Sequence, residues 1–262
     1  MKPAFDYDHF SHSQLSCYTQ CSLKYRFSYI ENLEPEFTSS ALVFGSSIHS
    51  GIQAYLQSVL EADPLRADQL ADVFRSEWTG FGGPPVRYSG RETENGLQTK
   101  AQELFSLFVD HYDPASEVIA VEESFSIDLN DRIEVACCGP LPPFVGYIDA
   151  IIGKDGSTAL IDYKTSSRKP NGDLNPMQLV AYSMGASVLG YEPNQLDYRF
   201  EYLIKTAKPD FVLCPVKIRD HDRERFLKIV ARIWKAIRSS IFYPNPGYLC
   251  SSCGYQIWCK EW

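Results

Sequence analysis

No run in the sequence approaches the roughly 20 consecutive apolar residues that a bilayer-crossing helix needs, so no membrane association is expected. The first residues, MKPAFDYDHF, have neither a basic start nor an apolar stretch, so no secretory leader is expected and the setting is expected to be cytoplasmic. Positive charge is also short: 25 Lys and Arg face 33 Asp and Glu, a net charge of −8. The average field of such a chain repels phosphate, so nucleic-acid contact has to use local basic patches or metal ions. There is no G-x-x-x-x-G-K-[ST] phosphate loop, so any helicase motor would be another subunit. Internal repeats and low-complexity segments are missing as well.

What is present is ordinary globular composition, 44% hydrophobic and 22% charged, in a chain of 262 residues that can bury a real core. One domain over residues 1–262 is expected. Periodicity predicts a short helix from Ser11 to Cys21 and a longer one over 41–62. Residues 63–115 read as a helical insertion: a helix, an irregular loop around GFGGPP, and a second helix over 96–112. Strands are expected at 117–128, 144–152, 158–164, 197–206 and 211–218, with helices at 176–189 and 221–239. That order implies an α/β fold, a central mixed sheet flanked by helices. On the 221–239 helix, Arg225, Lys228, Arg232 and Lys235 share one face opposite Phe226, Ile229, Val230, Ile233 and Ile237. This basic face is either a solvated surface or a track for phosphates.

The most informative stretch is FVGYIDAIIGKDGSTALIDYKT. Asp155-Gly156 favours a two-residue type I′ hairpin turn. With Lys154 facing Ser157, Asp149 falls opposite Asp162, and like charges so placed destabilise a sheet unless a cation or a raised pKa relieves them. Side-chain alternation puts Lys164 on the face of Asp162, with Ile161 and Tyr163 on the other. The apolar flanks VGYI, AII and ALI imply that these acids are buried.

An Asp closing GYID followed by IDYKT resembles the active-site core of the PD-(D/E)xK nucleases. The resemblance implies a restriction-endonuclease-like core in which Asp149, Asp162 and the carbonyl of Tyr163 bind Mg²⁺ or Mn²⁺ and Lys164 assists catalysis. GSSIH resembles the G-x-x-x-H helix motif of RecB-like exonucleases, with His49 as a further metal ligand and Gly45 allowing close helix approach. Glu122 in VEESF resembles the preceding strand, a candidate for orienting His49 or water. Gln178 and Tyr182 in QLVAY resemble the Q-x-x-x-Y motif near the DNA; at i and i+4 they share a helix face. The implied activity is a deoxyribonuclease acting on single-stranded DNA ends, in repair, recombination, CRISPR adaptation or phage replication. The alternative is an end-binding subunit for a helicase or integrase partner. Related enzymes form rings, so a homo-oligomer is also among the expectations.

The chain has eight cysteines, read in a reducing compartment as thiols or metal ligands. CSSCGYQIWC places Cys250, Cys253 and Cys259 within the C-terminal segment 245–262, and CSLKYRF begins with Cys21. The latter resembles the C-P-x-K-Y-x-F segment of iron-sulfur RecB-like nucleases, the AddB-type and CRISPR-associated branch, with Ser22 in place of proline. The resemblance implies a [4Fe–4S] cluster on Cys21, Cys250, Cys253 and Cys259, joining the chain ends. Zn²⁺ is the alternative occupant of four thiolates, and Cys17 rivals Cys21 as first ligand. Cys137, Cys138 and Cys214 have no partners at metal spacing and read as buried or loop thiols.

Overall fold

The computed structural model describes residues 8–133, 138–172 and 174–262; Cys137 lies outside them. The chain begins with a two-residue strand, β1 (Phe10–Ser11), and helix α1 (His12–Gln20). Ser11 is extended, and its hydroxyl accepts the Gln14 N–H at 3.4 Å, which satisfies one of the free donors of the first turn. The helix ends one residue before the expected boundary because Cys21 is itself extended, at φ −161°. The basic-aromatic stretch that follows forms a short helix, α2 (Ser22–Tyr25), running into a π turn over Arg26–Ile30.

Helices α3 (Ser40–Leu60), α4 (Ala67–Thr79) and α5 (Glu94–His111) follow, with a two-residue parallel pair, β2 (Thr38–Ser39) and β3 (Val86–Arg87). The main strands are β4 (Glu117–Ile127), β5 (Phe144–Lys154), β6 (Ser157–Ser166), β7 (Leu196–Ile204) and β8 (Asp210–Val216). Helix α6 (Met177–Val188) connects β6 to its parallel neighbour β7, α7 (Asp220–Arg238) follows β8, and a last turn, α8 (Gln256–Lys260), closes the chain. Along the sheet, β4 pairs with β5, β5 with β6, β6 with β7 and β7 with β8; only the β6–β7 step among these is parallel. The mixed sheet flanked by helices agrees with the expected class. Among the described residues, no helix is long and apolar enough to cross a membrane.

Two cores lie on the two faces of this sheet. One holds Leu15 of α1, Leu179 and Met184 of α6, and Phe226, Val230 and Trp234 of α7 against Phe144, Leu160 and Phe200. The other packs Phe44 and Ile48 of α3, Phe74 of α4 and Phe105 and Phe108 of α5 against Ala150, Ile161 and Tyr163. Residues 63–115, expected as an insertion, therefore supply much of one whole layer. Their apolar stripes had to be covered, and the sheet face is what covers them.

Close packing within that layer depends on one glycine. A Cβ on Gly51 of α3 would fall 2.3 Å from the ring of Phe105, which is itself fully buried. Gly45, expected to permit a close approach, is less constrained: its added Cβ would meet Thr165 Oγ1 at 3.4 Å, an ordinary contact. Gly51→Ala is expected to destabilise the protein by about 1–3 kcal/mol through overpacking, read as a lower urea midpoint at unchanged slope. Gly45→Ala should cost less; equal costs would remove the distinction.

Candidate active site at the fork of the sheet

The β5–β6 hairpin turns at Asp155 and Gly156, both at positive φ (49° and 79°), as a type I′ turn requires. The expected register holds from Lys154–Ser157 to Ala150–Ile161. It then stops, one rung short of Asp149–Asp162. β4 occupies the other edge of β5 for its whole length, so β6 and β1 must share this edge: β1 pairs at Phe144 and Val145. The residues between form a fork, and Asp149 sits where β5 parts from β6. There the Tyr163 N–H, released from the ladder, donates to Asp149 Oδ2 at 2.8 Å.

The same point marks a change of face. On β5, Ile148 belongs to the first core and Ala150 to the second, although both have even numbers. On β4, Val121 packs with the second core and Phe125 with the first. Strict alternation would keep each pair together. The β4–β5 register shifts earlier, between Val118 and Ala120, and between Val121 and Phe125 stands Glu122 at φ 50°, a conformation rare outside glycine and a mark of local strain. In the β4–β5 register, Glu122 lies between the Val121–Ala150 and Glu123–Ile148 rungs, beside Asp149. Glu122, Asp149 and Asp162 thus stand side by side on three neighbouring strands.

Both helical layers reach this fork. From α3, His49 places Nδ1 3.4 Å from Asp149 Oδ2. From α6, Gln178 Oε1 accepts the Lys164 ammonium at 2.8 Å, while Gln178 Nε2 donates to the Tyr182 hydroxyl at 2.7 Å. Lys164 Nζ lies 2.5 Å from Asp162 Oδ2. Among the described residues, Glu122 makes no hydrogen bond or ion pair to His49, so the expected orienting contact is not formed.

Burial sets the charge state. The Asp162 side chain is 0% exposed and that of Asp149 12%. Desolvation raises the Asp149 carboxyl to about 7, opposed by Lys164 and the Tyr163 N–H and reinforced by Glu122. Desolvation likewise raises Asp162 to about 6, with Lys164 opposing and Asp149 adding repulsion. His49 is held below its ordinary value, first by burial and then by Lys164, so its imidazole is neutral at pH 7. Burial also raises Glu122, with repulsion from Asp162 adding to it.

Asp162 Oδ2 is met by the Lys164 ammonium at 2.5 Å, and Asp162 Oδ1 has no partner among the described residues. A desolvated carboxylate with one oxygen unpartnered fits a hard cation, and the neighbouring Asp149, Tyr163 carbonyl and neutral imidazole are donors of the right kind. No group of three or more His, Cys, Asp or Glu among the described residues stands arranged to hold a metal ion. The donors at the fork are two carboxylates and one imidazole, with His49 Nδ1 3.4 Å from Asp149 Oδ2.

The chain ends meet elsewhere. Cys21, Cys250, Cys253 and Cys259 line one cavity of about 240 Å³, which Cys17 does not line. Cys17 packs against the first core, and burial pushes its thiol up to about 11. Cys250 Sγ accepts the Gly247 N–H at 3.4 Å. Ser22, which stands where proline was expected, closes the junction from both sides: its hydroxyl donates to the Tyr243 carbonyl at 3.1 Å and accepts the Tyr243 N–H at 2.9 Å. Proline has no side-chain group for either bond. Cys138 is buried and Cys214 half-buried, away from this cavity.

One neighbour of the fork escaped sequence reasoning. Burial of His12, the first residue of α1, lowers its pKa to about 4, with the Lys164 ammonium adding to the effect. No local pattern marks it, because its approach to Lys164 exists only in the folded chain.

A family model for the PD-(D/E)XK nuclease superfamily matches residues 9–260. The gene 69 protein of Mycobacterium phage D29 is 27% identical over 261 residues, with 89% of each chain covered. The crystal structure of a candidate exonuclease from Eubacterium rectale has the same fold, at TM-score 0.56 and 15% identity, covering 97% of this chain and 88% of that one.

A carboxyl whose pKa is raised by folding stabilises the fold below its unfolded value and loses that contribution as pH rises through the folded one. For Asp149 the window runs from 3.8 to about 7. Metal-free wild type should therefore lose stability across this range relative to Asp149→Asn, which keeps an acceptor for the Tyr163 N–H. Urea unfolding in EDTA at pH values below and above the window checks this. Parallel pH profiles for the two proteins would show that Asp149 ionises without penalty.

Proposed function

The chain belongs to the PD-(D/E)XK nuclease superfamily, and from that premise we propose that it is a metal-dependent deoxyribonuclease, an exonuclease that hydrolyses phosphodiester bonds from single-stranded ends. The observation that carries this reading is Asp162: fully buried beside Asp149, with Oδ2 met only by the Lys164 ammonium and Oδ1 without a partner among the described residues. A residue kept only for structure would not be left so.

Asp149, Asp162, the Tyr163 carbonyl and neutral His49 would hold Mg²⁺ or Mn²⁺, whose preferences match oxygen donors with one imidazole. When bound, such an ion draws charge from the phosphate and eases ionisation of water. The rest is supplied by the chain's own side chains. Lys164 presents N–H donors where negative charge builds on the phosphate or on the attacking water. Gln178 holds that ammonium, and the Tyr182 hydroxyl, by accepting the Gln178 N–H, keeps the amide oxygen turned toward Lys164. Burial of Asp162 keeps solvent from competing for its oxygens.

At the joined chain ends, Cys21, Cys250, Cys253 and Cys259 would hold a [4Fe–4S] cluster as a structural staple. Support comes from the shared cavity and from the N–H that already reaches Cys250 Sγ. A staple across chain ends removes loop entropy from the unfolded state.

Cleavage of 5′- and 3′-labelled single-stranded DNA with Mn²⁺ or Mg²⁺ tests the catalytic reading. Lys164→Ala should lower the rate by about 10²–10³-fold, and the labelled end released first gives the polarity. A wild type that binds DNA ends without cutting them would reassign the chain as an end-binding subunit for a helicase or integrase partner. For the staple, anaerobically purified protein should be brown. Cys21→Ala should lose the iron while Cys17→Ala keeps it; the reverse would move the first ligand to Cys17, and a colourless, zinc-loaded protein would replace the cluster.

A further inference from the structure

A second cavity, of about 400 Å³, opens beside the fork, between α1, the start of α6 and α7. Its polar wall comes from three elements: His12, Ser16 and Thr19 on one face of α1, Asn175 just before α6, and Arg225 on α7. Leu15, Met177 and Ile229 supply an apolar side. The volume lies within the range of sites that take a small molecule or one nucleotide, roughly 300–1,000 Å³, and is far too small for a duplex. The cavity adjoins the helix that serves the site: its lining residues Met177 and Val180 flank Gln178 on α6, and Gln178 holds Lys164.

Arg225 also begins the basic face of α7. Arg225, Lys228, Arg232 and Lys235 are all exposed, and among the described residues none forms an ion pair or a side-chain hydrogen bond. At 1.5 Å per residue the stripe extends about 15 Å, the length of about four stacked nucleotides of one strand. In a chain of net charge −8, four exposed cations in a row, the first of which lines the cavity, are a feature of placement, not of average composition. The one acid lining the cavity, Asp222, is engaged: Oδ2 accepts the Arg219 N–H at 2.9 Å, and Oδ1 lies 3.1 Å from His221.

We infer that this cavity seats the nucleotide next to the scissile phosphate, and that the strand leaves it along the basic stripe of α7. The inference rests on the nuclease reading and assigns the substrate as a single strand followed over several nucleotides. Arg225 and the stripe hold phosphates. Neutral His12, Ser16 and Asn175 offer hydrogen bonds to base or sugar, and Met177 with Ile229 offers an apolar surface to the base. Duplex ends would have to be unpaired before entering.

Two variants test it. Arg232→Ala/Lys235→Ala removes two exposed charges from the far end of the stripe; Ser16→Phe fills the cavity. Binding of a fluorescent single-stranded 12-mer is measured in EDTA over a salt series, with steady-state cleavage in Mn²⁺ and a melting curve for each protein. The double variant should bind about tenfold more weakly, and its slope of log affinity against log salt should be shallower by about 1.4, the value for two lost phosphate contacts. Ser16→Phe should raise KM for the 12-mer at least tenfold while its melting temperature stays near wild type. A control, Arg66→Ala/Arg75→Ala, removes two exposed charges in the opposite layer and should leave affinity and slope unchanged. Stripe and control variants that behave alike, or Ser16→Phe with wild-type KM, would overturn the track while leaving cleavage by the wild type intact. A wild type that neither binds nor cuts the strand would overturn the nuclease reading first and this inference with it.

Discussion

Two carboxylates forced together out of water are the constraint around which this structure is arranged. Burying one ionised carboxyl is costly, and burying two as neighbours adds repulsion. The fold leaves that conflict unresolved within the described residues: Asp149 and Asp162 are both driven toward protonation by desolvation, and Lys164 offsets only part of the cost. A stable arrangement of this kind has to be supported by everything around it, and the two apolar cores on either side of the sheet are what support it.

The fork in the sheet is how the backbone accommodates the pair. Had β5 and β6 stayed paired through Asp149 and Asp162, both side chains would have been locked on one pleated face. Instead the ladder ends, Asp149 takes over the N–H of Tyr163, and β4 kinks at Glu122 on the neighbouring rung. One consequence is local strain. The other is access: His49 arrives from α3 on one side, Gln178 and Tyr182 from α6 on the other. A regular sheet would have kept these helices apart, with the strands between them.

Charge is distributed with the same economy. The molecule is acidic overall, yet four exposed cations without ion pairs among the described residues share one face of α7, and the first of them, Arg225, lines a cavity that His12 also lines. The chain ends are handled separately. Ser22 and Tyr243 already join them by hydrogen bonds, so the cysteine cavity sits on a junction that is closed on one side before any metal is considered.

Much of this was legible in the residues because it depends on local rules. Helix periodicity located α3 and α7, and Asp155-Gly156 alone set the hairpin register, since a two-residue I′ turn leaves no freedom in pairing. The order of His49, Asp149, Asp162, Lys164 and Gln178 along the chain was likewise enough to suggest one site. What the residues could not say depended on contacts between distant segments. β1 borrowing the edge of β5, the ladder stopping a rung early, α4 and α5 completing a layer with α3, and His12 coming near Lys164 all follow from how two cores close on one sheet. Local sequence determines which side chains share a face; only tertiary packing decides where a strand must let go of its neighbour, because that choice balances hydrogen bonds lost in the ladder against the burial of apolar surface on both sides.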